Sequence, residues 1–144
     1  MSANIELNFI PDDSTLTSQL DRWDLYIGII GEFEISIDGR VFFKDECFNI
    51  VEFGVQVKRW IQNKELHFHY KPLEFDSVLF EFKCENDGVI IVSEFSNYEI
   101  NQPVPFSVLL EALEKYIDEL SGYLQSKGYD FLALVNDVRL DSIA

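Results

Sequence analysis

Phe33-Glu34-Ile35-Ser36-Ile37-Asp38-Gly39-Arg40-Val41-Phe42-Phe43 is the stretch on which the fold class turns. Phe33, Ile35 and Ile37 alternate with Glu34 and Ser36, and Glu32 extends the polar series. Side chains alternate across a strand, so this pattern gives one apolar face and one acidic face. Asp38-Gly39 suits the two-residue turn of a hairpin, where both central positions need positive φ. Val41-Phe42-Phe43 then returns as the paired strand. A half-solvated strand joined to its neighbour by a tight turn belongs to an antiparallel sheet.

Upstream, the strand-like character extends back to Trp23, so Trp23 to Ile37 reads as one strand region. Ile5, Leu7 and Phe9 alternate before the loop signal Pro11-Asp12-Asp13-Ser14-Thr15. Downstream, Asn49 followed three positions later by Glu52 has the form of a helix start, with Asn as the cap. Ile50, Phe53, Gly54, Val57, Trp60 and Ile61 recur at helical spacing, with Lys58, Arg59 and Lys64 toward the end that favours cations. Gly54 weakens that helix by ~1 kcal/mol relative to Ala and marks close packing on a strand.

Three further strands are expected over Leu66 to Tyr70, Val78 to Cys84 and Val89 to Phe95. Glu85-Asn86-Asp87-Gly88 joins the last two as an antiparallel hairpin. After Pro103 and Pro105 the longest helix runs from Phe106 to about Ser126. Val108, Leu109, Ala112, Leu113, Tyr116, Ile117, Leu120 and Leu124 form its buried stripe, and Gly128 stops it. These elements predict an α+β fold: a mainly antiparallel sheet of about five or six strands, with two amphipathic helices packed on one face. Residues 1–144 read as a single domain, with 129–144 as a loosely packed tail or a short added helix around Phe131, Leu132, Leu134 and Val135.

Composition narrows the classes of function. Of 144 residues, 47% are hydrophobic and thirteen are Phe, which excludes a disordered acidic tail. The 26 Asp and Glu against 11 Lys and Arg leave a net charge of −15. Such a surface repels nucleic acid and anionic membrane and attracts basic protein. No stretch approaches the ~20 apolar residues of a membrane span, and Met1 to Asn8 lacks the basic head of a secretory signal, so a cytoplasmic protein is expected. Cys47 and Cys84 have no metal-binding spacing and read as free, buried structural thiols, with a disulfide between them left open.

His67-Phe68-His69 places two imidazoles on one strand face, where a metal would need further ligands that the neighbouring sequence does not supply. The pair reads as solvent-facing; the alternative is a small metal-dependent hydrolase or ligand-binding domain using His67 and His69. Glu32, Glu34 and Asp38 have the residue types of an acid–base pair or a Mg²⁺ site, yet strict alternation is what any solvated strand face produces. There is no nucleophile elbow, phosphate-binding loop or dinucleotide fingerprint, and no cofactor or metal is expected. Trp23, Tyr26, Trp60 and Tyr98 read as core or rim, because base stacking calls for interleaved basic residues.

The order of elements also carries a resemblance. Leu25-Tyr26-Ile27 through Phe33-Glu34-Ile35-Ser36-Ile37 is followed by Phe48-Asn49-Ile50-Val51-Glu52-Phe53 opening a helix that ends near Trp60. Leu79-Phe80-Glu81-Phe82 with Val89-Ile90-Ile91-Val92 and a last helix through Leu109-Leu110-Glu111-Ala112-Leu113 complete the series. Over roughly residues 20–127 this resembles small acidic immunity proteins of bacterial polymorphic-toxin systems, especially the family protecting against the wall-associated toxin. The resemblance implies a cytoplasmic, non-enzymatic inhibitor that binds a toxin domain, often a nuclease, encoded nearby. It carries no catalytic residues onto this chain. A nuclease presents positive charge to its substrate, so the acidic contacts expected here are Glu32, Glu34 and Asp38, with Glu81 and Glu94 on neighbouring strands.

Overall fold

Alternation of apolar and polar residues builds the first sheet. β1 (Ile5–Pro11), β2 (Ile30–Ile37) and β3 (Arg40–Asn49) pair antiparallel in that order, with α1 (Arg22–Ile27) between the first two strands in the chain. The computed structural model describes residues 4–17, 19–63, 66–86, 88–137 and 139–140. Lys64, Asp87, the first residues of the Met1 to Asn8 segment and the last four of the C-terminal segment lie outside the described residues. Asp38 and Gly39 take φ of 51° and 81°, as the hairpin requires, and Phe33, Ile35 and Ile37 are buried on one face.

Two bulges then shape β3. Ile35 faces Phe43 while Ser36 faces Val41, so Phe42 is an extra residue. That insertion lets the adjacent side chains of Phe42 and Phe43 both be buried, which strict alternation forbids. Gly31 faces Phe48 and Phe33 faces Asp45, so β3 again carries one residue more than β2, and Glu46 and Cys47 are both exposed there.

The strand expected from Trp23 begins only at Ile30. Residues Arg22–Ile27 are helical because the Asp21 carboxylate accepts from the Asp24 N–H at 2.8 Å, capping the first turn. The Gly28 N–H closes that helix on the Asp24 carbonyl at 2.8 Å. Leu25 and Tyr26 are its buried residues.

β3 runs directly into α2 (Ile50–Asn63), the helix expected after Asn49. A second antiparallel sheet follows, in the order β4 (His67–Tyr70), β5 (Phe80–Glu85), β6 (Gly88–Val92), β7 (Val104–Pro105). Glu85 faces Gly88 across the expected β5–β6 hairpin, with Asn86 at φ 53°. The short β7, which pairs Val104 with Val89, has no alternation to reveal it in sequence. The fold is α+β, with its described strands divided between sheets of three and four.

α3 (Phe106–Ser126) has the expected bounds, and its stripe is buried except for Val108, which is half-buried. Gly128 at φ 89° allows two closing bonds: the Gly128 N–H to the Gln125 carbonyl and the Tyr129 N–H to the Leu124 carbonyl. α2 contacts β2 and β4, while α3 contacts β1, β6 and β7, so the helices lie across both sheets. Between them sits an aromatic core. Phe33 and Phe48 stack at 4.0 Å between centroids, and Phe53 of α2 lies 5.4 Å from both Phe33 and Phe80. Tyr116 of α3, 5.2 Å from Phe53, donates its hydroxyl to the Ile50 carbonyl at 2.7 Å.

Gly54 marks a contact between helices and not the strand contact expected. A Cβ there would stand 2.3 Å from Leu120 Cδ2 of α3 and 3.4 Å from a Phe131 ring carbon. Phe131 begins α4 (Phe131–Val135), within the segment read from sequence as a loose tail or short helix. Phe131, Leu134, Val135 and Leu140 are buried, and the Arg59 guanidinium donates to the carbonyls of Val135 and Asp137 at 2.9 and 3.0 Å.

Candidate functional site: an acidic surface and an aromatic groove

The sequence-derived acids fall on two sheets and a loop. Glu32 is exposed on β2; Glu34, half-buried on the same face, receives the Ser36 hydroxyl at 3.5 Å. Asp38 clips the hairpin to β1, accepting the Asn4 N–H at 2.8 Å and donating its own N–H to the Asn4 carbonyl. Glu81 belongs to β5 in the other sheet, 3.3 Å from His69 Nδ1 and 3.7 Å from Lys83 Nζ. Glu94 is exposed in the loop after β6. Glu32 and Glu34 are therefore brought together by one strand, whereas Glu81 and Glu94 come from elsewhere.

His67 and His69 share the exposed face of β4. The Cys84 N–H donates to His67 Nδ1 at 3.1 Å, and His69 faces Glu81, so each imidazole has a local partner. Among the described residues no group of three or more His, Cys, Asp or Glu is placed to hold a metal ion. Both cysteines are free thiols, but Cys47 is exposed on the β3 bulge and not buried as expected. Cys84 is half-buried, and burial pushes its thiol pKa up. No described helix is long and apolar enough to cross a membrane.

One acid that the sequence reading placed only in the start of a helix has a second role. Glu52 is 1% exposed, and it is the one buried charged residue among those described. Its Oε1 accepts from the Tyr70 hydroxyl at 3.1 Å and from Asn49 Nδ2 at 3.3 Å, and its Oε2 accepts from the Leu73 N–H at 2.9 Å. Burial pushes its pKa up, against the lowering effect of these three donors. The residue expected to cap α2 thus uses its side-chain amide on Glu52 and on the Ile27 carbonyl. The available signal was a single acid inside the apolar run Ile50-Val51-Glu52-Phe53. Glu52 ties Leu73, and with it the segment before β5, to the start of α2.

That tie helps to shape a groove of about 410 Å³. One wall is the bulged part of β3, with Lys44, Asp45, Cys47 and Asn49; the others are Pro72, Glu74 and Phe75 before β5, and Phe95 after β6. Phe43 and Leu79 line its apolar interior. Hydrogen bonds pin the walls: the Asp45 side-chain Oδ1 accepts the Cys47 N–H at 2.9 Å, and the Asn97 N–H donates to the Phe42 carbonyl at 2.8 Å. The Ser93 hydroxyl joins the two loops by donating to the Leu79 carbonyl. Phe75 and Phe95, 6.1 Å apart between ring centroids, remain 42% and 48% exposed.

Neither the curated proteins nor the solved structures contain a match to this chain. Residues 5–126, from the start of β1 to the end of α3, match the family described as a domain of unknown function, DUF7878, and the chain belongs to that family.

Proposed function

We propose that this chain is a non-catalytic immunity-type inhibitor that binds and neutralises a basic toxin domain. The observation that carries the reading is the disposition of charge. Of the acidic residues described, Glu52 alone is buried, so the others act outward on the surroundings of a chain whose net charge is −15. A field of that sign raises the encounter rate with a positively charged protein and rejects like-charged ones. A nuclease is the kind of toxin this complements, because its substrate groove must be basic. The rigid aromatic core suits the role: an inhibitor that keeps its shape loses little freedom on binding.

The test is capture of a partner by the full chain at low salt, followed by association kinetics on the purified pair. The expected partner is basic, and its association rate falls as salt rises through ~0.1 M, where screening shortens to ~10 Å. Replacing Glu32, Glu34 and Asp38 by Gln, Gln and Asn slows association further. An acidic partner, or an association rate indifferent to salt, sinks the reading.

A further inference from the structure

The aromatic groove has features that its structural role does not require. Phe75 and Phe95 pack edge to face on each other but leave nearly half of each side chain in water. Leu73, two residues before Phe75 in the chain, is 40% exposed. Exposed large apolar side chains gathered on one patch, over a floor of Phe43 and Leu79, mark an interaction surface more often than a solvated one. Partly exposed aromatics on a rigid frame are also the residues that dominate binding energies, because they bury much area at little entropic cost.

Charge selects what the groove accepts. The groove is lined by Asp45 and Glu74 against Lys44, and the segments that form its walls, residues 44–47, 71–76 and 93–95, add Glu46, Asp76 and Glu94 against Lys71. A second copy of this chain would bring its own net charge of −15, this excess included, against that rim. A purely apolar occupant would leave the carboxylates partly desolvated and unpaired. We propose that the groove is the docking site for a basic protein segment. The segment lays one apolar side chain against the exposed surfaces of Phe75 and Phe95 and sets flanking Lys or Arg against Asp45 and Glu74. This rests on the inhibitor reading and adds the site of anchoring. The β2 acids speed encounter, and the groove holds the partner once bound, so the two act on association and dissociation respectively.

The probe is a displayed library of random linear peptides, selected on the immobilised full chain. Enriched peptides are expected to combine one large apolar residue with neighbouring Lys or Arg. Phe75→Ser with Phe95→Ser is expected to weaken their binding about tenfold or more, the loss typical of truncating an anchor. A fluorophore on the exposed Cys47 thiol, which lines the groove, gives a second readout in a chain with both phenylalanines intact, and its emission is expected to change when the peptide binds. Basic peptides that bind the Phe75→Ser, Phe95→Ser chain unimpaired, leave the Cys47 probe unmoved, and are lost with Glu32→Gln, Glu34→Gln and Asp38→Asn would overturn the groove while leaving the inhibitor reading in place. Enrichment of acidic or purely apolar peptides, or of none, would overturn the groove proposal and count against the inhibitor reading too.

Discussion

Replacing Gly54 by alanine sets two effects of opposite sign against each other. Alanine is the better helix former by ~1 kcal/mol in a helix interior, so α2 alone would gain. Its methyl group, however, would lie 2.3 Å from Leu120 Cδ2, where unstrained carbon contacts start at about 3.5 Å. Leu120 must retreat by roughly 1.2 Å, the difference between those two distances. It has little space to do so: Leu120 is fully buried, and Phe131 already stands 3.4 Å from the new atom. Overpacking of this kind costs typically ~1–3 kcal/mol. The net expectation is a loss of about 1 kcal/mol. The sharper signature comes from a double-mutant cycle. Leu120→Ala alone should cost ~2–5 kcal/mol, but the methyl group introduced by Gly54→Ala then enters the vacated space. The double variant should be more stable than the sum of the single changes by ~1–3 kcal/mol. Urea unfolding of the four proteins, followed by the fluorescence of Trp23 and Trp60, measures each term. A Gly54→Ala protein stabilised by ~1 kcal/mol, with additivity to within ~0.5 kcal/mol, would refute the helix–helix contact.

Two further outcomes test the interior. Burial holds the Glu52 carboxyl above its ordinary value of 4.5 in the folded chain, so the native state binds that proton more tightly than the unfolded state does. Its contribution to stability is therefore present at low pH and lost as pH rises from about 4.5 through the raised folded value. Glu52→Gln cannot titrate, so its stability relative to wild type should improve as pH increases through that window; parallel pH profiles would contradict this. Arg59→Ala removes the guanidinium bonds to the Val135 and Asp137 carbonyls, and a loss of ~1.5–3 kcal/mol is expected for a charged donor of this kind. Hydrogen exchange should quicken first in α4 and the residues after it; unchanged protection there would show that buried apolar contacts alone hold the segment.

The hairpin at Asp38-Gly39, the bounds of α3 and its stop at Gly128 were legible because each rests on residues a few positions apart. α1 was misread as strand because the Asp21 cap overrode the apolar character of Trp23, Leu25 and Ile27, and a cap is one hydrogen bond made by one side chain. The acidic residues were legible as a class, but their grouping was not. Glu34 and Glu81 both alternate with apolar neighbours, and nothing in either strand says that they belong to different sheets.

The groove illustrates the boundary most plainly. Phe75 sits in a stretch of no clear periodicity, and Phe95 closes the stretch expected as strand from Val89, although β6 ends at Val92; twenty residues apart, they become a pair only when β5 and β6 bring their loops together. Glu52 likewise follows the helical pattern around it, and its burial depends on Tyr70 and Leu73 arriving from beyond the helix. Periodicity, turn chemistry and net charge are properties of near neighbours or of the whole chain, and the order of residues determines them directly. Which surfaces meet, which charge is buried and which aromatics stay wet are decided when sheets and helices pack, because burial is a relation between segments distant in sequence.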